Sequence, residues 1–344
     1  MKIDTLTLFR PDREHALSEG IVEMAEQAEA MGVDGVFTPM VDNDAFLPLP
    51  LIAEHTDEVD IGTRIALSFT QSPMVLAYKA WDLAQYSDGR FSLGLGTQVK
   101  SHNERRFSVE WTAPNQRLRE VVESVQHIWD VWQGEADELD YQGEHYSFDL
   151  MSDLFDPGPI DHPDIPIHLA ATNERNLRLT GELADGLAMH SFNTPRYVEE
   201  VIRPTVSEGA ERTGRSLDDV EIVAIPFTIT GTSEEELAAQ RERVKTEIAF
   251  YGGHTRTYHD VLELHGWEDV GERLHELADD HTWAEMTHLV TDEMVDAFAI
   301  EAHIDDLAEE IDRSYGDLAD RIQLQHVFTG DETWEGLVED LHSL

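Results

Sequence analysis

Residues 61–98, IGTRIALSFTQSPMVLAYKAWDLAQYSDGRFSLGLGTQ, constrain the fold more than any other part of the chain. An apolar strand, a polar corner closed by Pro73, an amphipathic helix, the turn Ser87-Asp88-Gly89-Arg90 and a second apolar strand ending in glycines make one βαβ unit. The helix must cross over, which sets the two strands parallel and opens both strand ends on one edge of a sheet.

The same alternation continues on either side. Strands are expected at 2–8, 33–40, 167–171, 186–190, 221–230 and 322–328. Helices are expected at 14–31, 114–133, 174–183, 194–213 and 333–344, the first with Leu17, Ile21, Val22, Ala25 and Ala28 at helical spacing and Gly32 as its stop. Eight strands in βα alternation predict a single α/β domain over 1–344, a closed (β/α)8 TIM barrel of about 250 core residues plus insertions. Two stretches break the alternation. Residues 134–166 read as a hairpin around Gln142-Gly143-Glu144 followed by the proline-rich FDPGPIDHPDIP. Residues 233–316 read as almost wholly helical, with 250–303 expected to form a lid over the barrel mouth.

Charge narrows the possible partners. The 71 acidic and 24 basic residues give a formal charge of -47, spread through helical patterns with no acidic tail. Such a surface repels itself in dilute buffer, whereas near 1 M salt the Debye length falls to about 3 Å. A halophilic, salt-loaded cytoplasm is therefore expected, and neither nucleic acid nor an anionic membrane suits this field. The absence of cysteine excludes disulfides, thiolate metal sites and cysteine nucleophiles. No apolar run approaches the ~20 residues of a membrane span, and no signal peptide is read at MKIDTLTLFR.

In a barrel of this kind chemistry lies at the C-terminal ends of the strands. The residues expected there are Phe9 and Arg10, 40–44, 68–72, 96–102, 171–173 and 190–193, most of them uncharged. Gly94 and Gly96 do not make a dinucleotide fingerprint, because Val99 stands where the third glycine belongs and no helix opens there. Walker A, G-x-S-x-G and H-E-x-x-H are absent, and the 17 histidines are scattered, so no metal site is expected. What remains suits a planar, mostly apolar ligand carrying a phosphate. Ala171, Thr172 and Asn173 precede a helix whose N-terminus can hold a phosphate; an ordinary asparagine N-cap is the plain alternative. Lys100, Arg105 and Arg106 form the densest basic cluster, either for an anionic tail or as a solvated helix start.

These features resemble the luciferase-like flavin and deazaflavin oxidoreductases. The resemblance is carried by IGTRIALSFTQSP, SDGRFSLGLGTQ, YQGEHYSF and PIHLAATNERNLRLTGELADGLAMH across nearly the whole chain. GLGTQVKSHNERRF, FDPGPI and AFYGG with LELHGW resemble the subgroup that uses coenzyme F420, an 8-hydroxy-5-deazaflavin, in actinobacteria and haloarchaea; the acidic composition fits the second source. The resemblance implies that strand three bulges next to the cofactor ring, with a non-proline cis peptide at Arg64-Ile65, which places Arg64 and Ile65 among the cofactor-binding residues. It further implies that Ser68, Phe69, Gly96, Thr97 and Gln98 line the cofactor ring or its hydroxylated chain, and that Ala171, Thr172 and Asn173 line the phosphate region.

The chain departs from the family pattern where acids and bases are usual. Pro39-Met40-Val41 follows strand two, Val99 stands where a related lineage has glutamate, and Gln71 replaces an arginine. The expected proton donors or acceptors are Asp44, His102 and His190. The implied activity is hydride transfer to or from a small, hydrophobic organic substrate by an F420-dependent oxidoreductase. The alternatives are an FMN-dependent monooxygenase served by a flavin reductase and a non-catalytic flavin-binding protein. Pairing through helices near strands two and three makes a homodimer the expected state.

Overall fold

The computed structural model describes residues 1–6, 17–279, 283–324 and 332–344. Phe9 and Arg10, the end of the first expected strand and the end of the last lie outside the described residues. The eight barrel strands are β1 (Lys2–Leu6), β2 (Gly35–Thr38), β3 (Asp60–Thr63, resuming at Ala66–Leu67), β4 (Phe91–Gly96), β5 (Ile167–Ala170), β6 (Gly186–Ala188), β7 (Glu221–Ala224) and β8 (Arg321–Gln323). All pair in parallel with their sequence neighbours, and β1 also pairs with β8, so the sheet closes on itself. This is the (β/α)8 barrel that the alternation predicts. Closure removes both edges, and helices cover the outside.

The outer layer is built from amphipathic helices whose starts the sequence marks. Helices α1 (Leu17–Ala30), α2 (Leu49–His55), α3 (Pro73–Tyr86), α4 (Lys100–Arg105) and α5 (Pro114–Gln133) lie in the first half. Pro73 and Pro114 begin α3 and α5, where the missing N–H costs nothing. Between those two helices Trp81 stacks on Trp129 and meets Trp132 edge-on, with ring centroids 6.4 and 5.6 Å apart. Such pairs contribute about 0.5–1.5 kcal/mol each beyond their buried area. The second half holds α6 (Glu174–Leu183), α7 (Arg203–Arg212), α8 (Glu234–His254), α9 (His259–Leu264), α10 (Glu268–Asp279), α11 (Asp292–Phe298), α12 (Leu307–Tyr315) and α13 (Glu332–Ser343). Among the described residues no helix is long and apolar enough to cross a membrane.

Three sequence expectations need correction. The strand expected at 221–230 is two strands: β7 ends at Ala224, and Phe227–Gly231 leaves the barrel. Pro226 lacks the N–H that a continuing central strand must donate. Phe227–Gly231 pairs in parallel with Ala299–His303, so 233–316 is not wholly helical. The run AIEAH is too short for its period to separate strand from helix; the open edge of Phe227–Gly231 decides it. The helix expected at 194–213 carries a π-helical turn over Val198–Ile202 ahead of Pro204, whose ring cannot follow a regular α-turn. In the 134–166 stretch, Tyr141–Gln142 pairs antiparallel with Ser147–Phe148. The buried Glu120 of α5 holds that turn by accepting the backbone N–H groups of Glu144, His145 and Tyr146 at 3.0, 2.7 and 3.0 Å.

The barrel interior is charged. Arg321 grips Asp4 through Nε and Nη2 at 2.9 and 2.6 Å and reaches Asp60 at 2.7 Å. Arg64 donates to Asp4 at 2.7 Å and to Gln323 at 3.2 Å, its guanidinium 3.4 Å from the Phe37 ring centroid. Burial alone would raise the Asp4 carboxyl, but the two guanidiniums reverse this and lower it. In the same layer burial, helped by the charges of Arg64 and Arg321, pulls His168 down to about 3, so it is neutral.

Candidate active site

The mouth of the barrel takes its shape from the bulge in β3. Gly62 faces Ser92 and Ala66 faces Leu95, so three residues of β3 span what two of β4 span. The Arg64–Ile65 peptide lies in this bulge and is cis. Thr63 repairs the broken ladder with its side chain, donating to the Gly94 carbonyl at 2.7 Å and accepting the Gly94 N–H at 3.0 Å. The fit explains the glycine pair. A Cβ on Gly94 would lie 1.9 Å from the Thr63 carbonyl, and one on Gly96 would meet Ile65 at 2.7 Å. The glycines are there because β4 presses against the bulge.

Two of the expected cofactor walls are joined directly. Ser68 is fully buried, and both its N–H and its Oγ donate to the Gly96 carbonyl at 3.0 Å. Beside it Phe69 meets Trp111 edge-on at 6.1 Å, with the Arg117 guanidinium 4.3 Å from its centroid. Gln98 holds a left-handed φ of 56°, and its Oε1 accepts the Val99 N–H at 2.9 Å. The buried Asn103 donates to the carbonyls of Thr97 and Val99 at 2.8 and 3.1 Å and so fixes this corner. Its Oδ1 is sealed from solvent and has no partner among the described residues. Ala171 is buried and Thr172 half-buried ahead of α6. Asn173 is an N-cap, its Oδ1 accepting the Asn176 N–H at 3.0 Å; the remaining amides of that first turn have no intrahelical acceptor. The Arg64 side chain is committed to the interior ion cluster, while half-buried Ile65 covers Gly96.

The three acid–base candidates fare differently. Asp44 closes its own turn, with Oδ1 accepting the Phe46 and Leu47 N–H groups at 2.8 and 3.2 Å. His102 is exposed on α4. His190, two residues beyond β6, stands at the mouth: Tyr258 stacks on it at 4.7 Å and Tyr251 meets it edge-on at 4.6 Å. Its Nδ1 accepts the Phe192 N–H at 3.0 Å, which places the proton of the neutral ring on Nε2. Packing on most sides pulls its pKa down to about 4, so the ring is a neutral donor at ordinary pH. Of the basic cluster, Lys100 pairs with Glu104 at 3.8 Å and Arg106 donates to the Val41 carbonyl, tying the corner after β4 to the loop after β2.

The sequence did not single out Asn103, Arg117 or Arg175, which the structure places at the Thr97 corner, on the Phe69 ring and in the first turn of α6. Asn103 lies in a polar run where nothing local marks one side chain as buried. Arg175, exposed in the first turn of α6, has no ion-pair partner among the described residues, and a single basic residue carries no cluster signal in the sequence.

The fold is thus a closed (β/α)8 barrel in which the β3 bulge packs on β4 at the ends of the strands. The family model described as luciferase-like monooxygenase matches residues 1–321, and the chain belongs to that family. An uncharacterized protein of Mycobacterium tuberculosis is 39% identical over 300 residues, 87% of this chain and 88% of the relative. The 5,10-methylenetetrahydromethanopterin reductase of Archaeoglobus fulgidus is 28% identical over 313 residues, 88% of this chain and 87% of the relative. Among solved structures, the coenzyme F420-dependent tetrahydromethanopterin reductase of Methanopyrus kandleri superposes with a TM-score of 0.76 at 22% identity, covering 98% of this chain and 96% of that one. That likeness establishes the shared fold.

Proposed function

We propose that this protein is an oxidoreductase that uses coenzyme F420 to transfer hydride to or from a small, hydrophobic organic substrate. The observation that carries the reading is the joined pair of walls: Ser68 clamped to Gly96 at the β3 bulge, with the open first turn of α6 beyond. A planar ring with a phosphate tail fits these parts. Ser68, Phe69, Gly96, Thr97 and Gln98 would hold the ring or its hydroxylated chain, and Ala171, Thr172, Asn173 and the guanidinium of Arg175 the phosphate. The named activities of the archaeal reductases support the same reading.

The bound deazaflavin supplies the hydride chemistry. The chain orients it, excludes water and supplies hydrogen-bond donors. His190 is the acid–base candidate packed into the mouth and acts there as an Nε2–H donor; Asp44 and His102 rank behind it because one is spent on its turn and the other is exposed. The helices within 250–303 serve as the lid and the hairpin within 134–166 as a buttress on α5. The working form is a homodimer in a salt-rich cytoplasm of haloarchaeal type, which the charge of -47 favours.

The family's monooxygenase name favours a second reading, an FMN-dependent monooxygenase fed by a flavin reductase. Titration of purified protein with F420 and with FMN in multimolar KCl, followed by absorbance and fluorescence, separates the two. Tight F420 binding with hydride exchange is expected. FMN binding with oxygen consumption would sink the first reading, and cofactor binding without turnover of any substrate would leave a flavin-binding protein.

A further inference from the structure

The lid carries two tyrosines whose polar ends the protein does not use. Tyr251 and Tyr258 are half-buried, and their rings pack on each other and on His190 at the end of β6. Phe192 and Phe227 complete the apolar surround, 5.3 Å from Tyr258 and 6.3 Å from Tyr251. A tyrosine hydroxyl in such surroundings normally finds a hydrogen-bond partner. Neither of these hydroxyls has one among the described residues. Nor are they shut in: the sealed, partnerless side-chain atoms among the described residues are Arg64 Nη2, Asn103 Oδ1, Trp132 Nε1, His145 Nε2 and Thr230 Oγ1. Both phenols therefore end at open space, beside an imidazole whose tautomer is set with N–H at Nε2.

We infer that Tyr251, Tyr258 and His190 form a substrate-binding wall for an uncharged oxygen acceptor, a ketone or aldehyde carbonyl or the matching alcohol, carried on an apolar body. Three neutral donors on aromatic rings would leave an apolar ligand's neighbours with unsatisfied hydroxyls, whereas a carbonyl oxygen can accept from two of them at once. A carboxylate or phosphate substrate is disfavoured, because the cluster holds no cation and the whole chain carries a charge of -47. Burial raises both phenols above the usual tyrosine range and holds His190 low, so all three stay uncharged donors at neutral pH. The wall deepens the proposed function by naming the substrate class, and it rests on the reading of the barrel mouth as the reaction site.

Cyclohexanone and its hydrocarbon isostere methylenecyclohexane test this in multimolar KCl, with and without added F420, by saturation-transfer NMR. Wild-type protein is expected to prefer the ketone by about tenfold, and Tyr251→Phe or Tyr258→Phe to remove most of that preference while leaving hydrocarbon binding unchanged. Tyr86→Phe, on an exposed tyrosine, is the control, and circular dichroism checks that each variant is folded. A tyrosine ultraviolet difference spectrum on ketone binding to the wild type reports the same contact without any mutation. Equal binding of the two probes, no binding of either, or a ketone preference untouched by both Phe variants would overturn the inference. Failure of F420 to bind while the tyrosine-dependent ketone preference persists would instead remove the cofactor reading and leave the wall standing.

Discussion

The two ends of the barrel treat polar groups in opposite ways. In the interior, Asp4 accepts from both Arg321 and Arg64, Gln323 accepts from Arg64 and Asp60 from Arg321, so the buried charges are paired although Arg64 Nη2 has no partner among the described residues. At the mouth, Tyr251 and Tyr258 are also largely packed, yet their hydroxyls reach no acceptor among the described residues. Paired groups hold strands together; accessible unpaired ones are free to meet a ligand. The contrast fits a stabilising role for the first set and the proposed recognition role for the second.

The largest effect should come from breaking the interior. Asp4→Asn keeps the shape but leaves Arg64 without a carboxylate partner and Arg321 hydrogen-bonded to Asp60 in place of two carboxylates, and a loss of about 3–5 kcal/mol is expected in urea unfolding at fixed KCl. If the ketone preference of the folded variant collapses as well, the two ends are not separate devices. A pH series sharpens the point. His168 and His190, at about 3 and about 4, both titrate below the unfolded value of 6.5. Their contribution is fully present above that value and is lost as pH falls through 4 toward 3, because the unfolded chain takes protons that the folded chain refuses. Each histidine adds up to about 1.4 kcal/mol per pH unit to the slope, and His190→Asn should remove one proton from it.

Smaller effects are expected at the mouth, and on binding more than on stability. Asn103→Ala frees the carbonyls of Thr97 and Val99, and F420 affinity should fall about tenfold for a stability loss near 1 kcal/mol. A stability loss several times larger with unchanged affinity would move Asn103 to the structural side. Arg175→Gln should weaken F420 binding only about threefold in high salt, where an exposed charge is screened. Repeating that titration at the lowest salt the fold tolerates should widen the gap; a gap that stays constant would show that Arg175 does not meet the phosphate.

Strand number, parallel order and the glycine stops were legible because each depends on short periods within a few residues, as in residues 61–98. The antiparallel turn at 141–148 was legible for the same reason. The split at Pro226 carried its own signal, since proline cannot continue a central ladder. Ala299–His303 carried none, because five residues of mixed pattern take their state from a neighbour's open edge. Of the candidate site, the residues flanking strand ends could be named from position, and the cis peptide from resemblance. Which of them point inward could not: Arg64 and Ile65 are adjacent, and one enters the ion cluster while the other covers Gly96.

By itself the sequence determined the local periods, the eight βα steps and a net charge of -47. Only the tertiary structure decided which polar groups meet. Arg321 finds Asp4 across 317 positions, and Tyr251 finds His190 from a helix in a different part of the chain. Such pairings follow from barrel closure and lid packing, where separation along the chain has no bearing on separation in space.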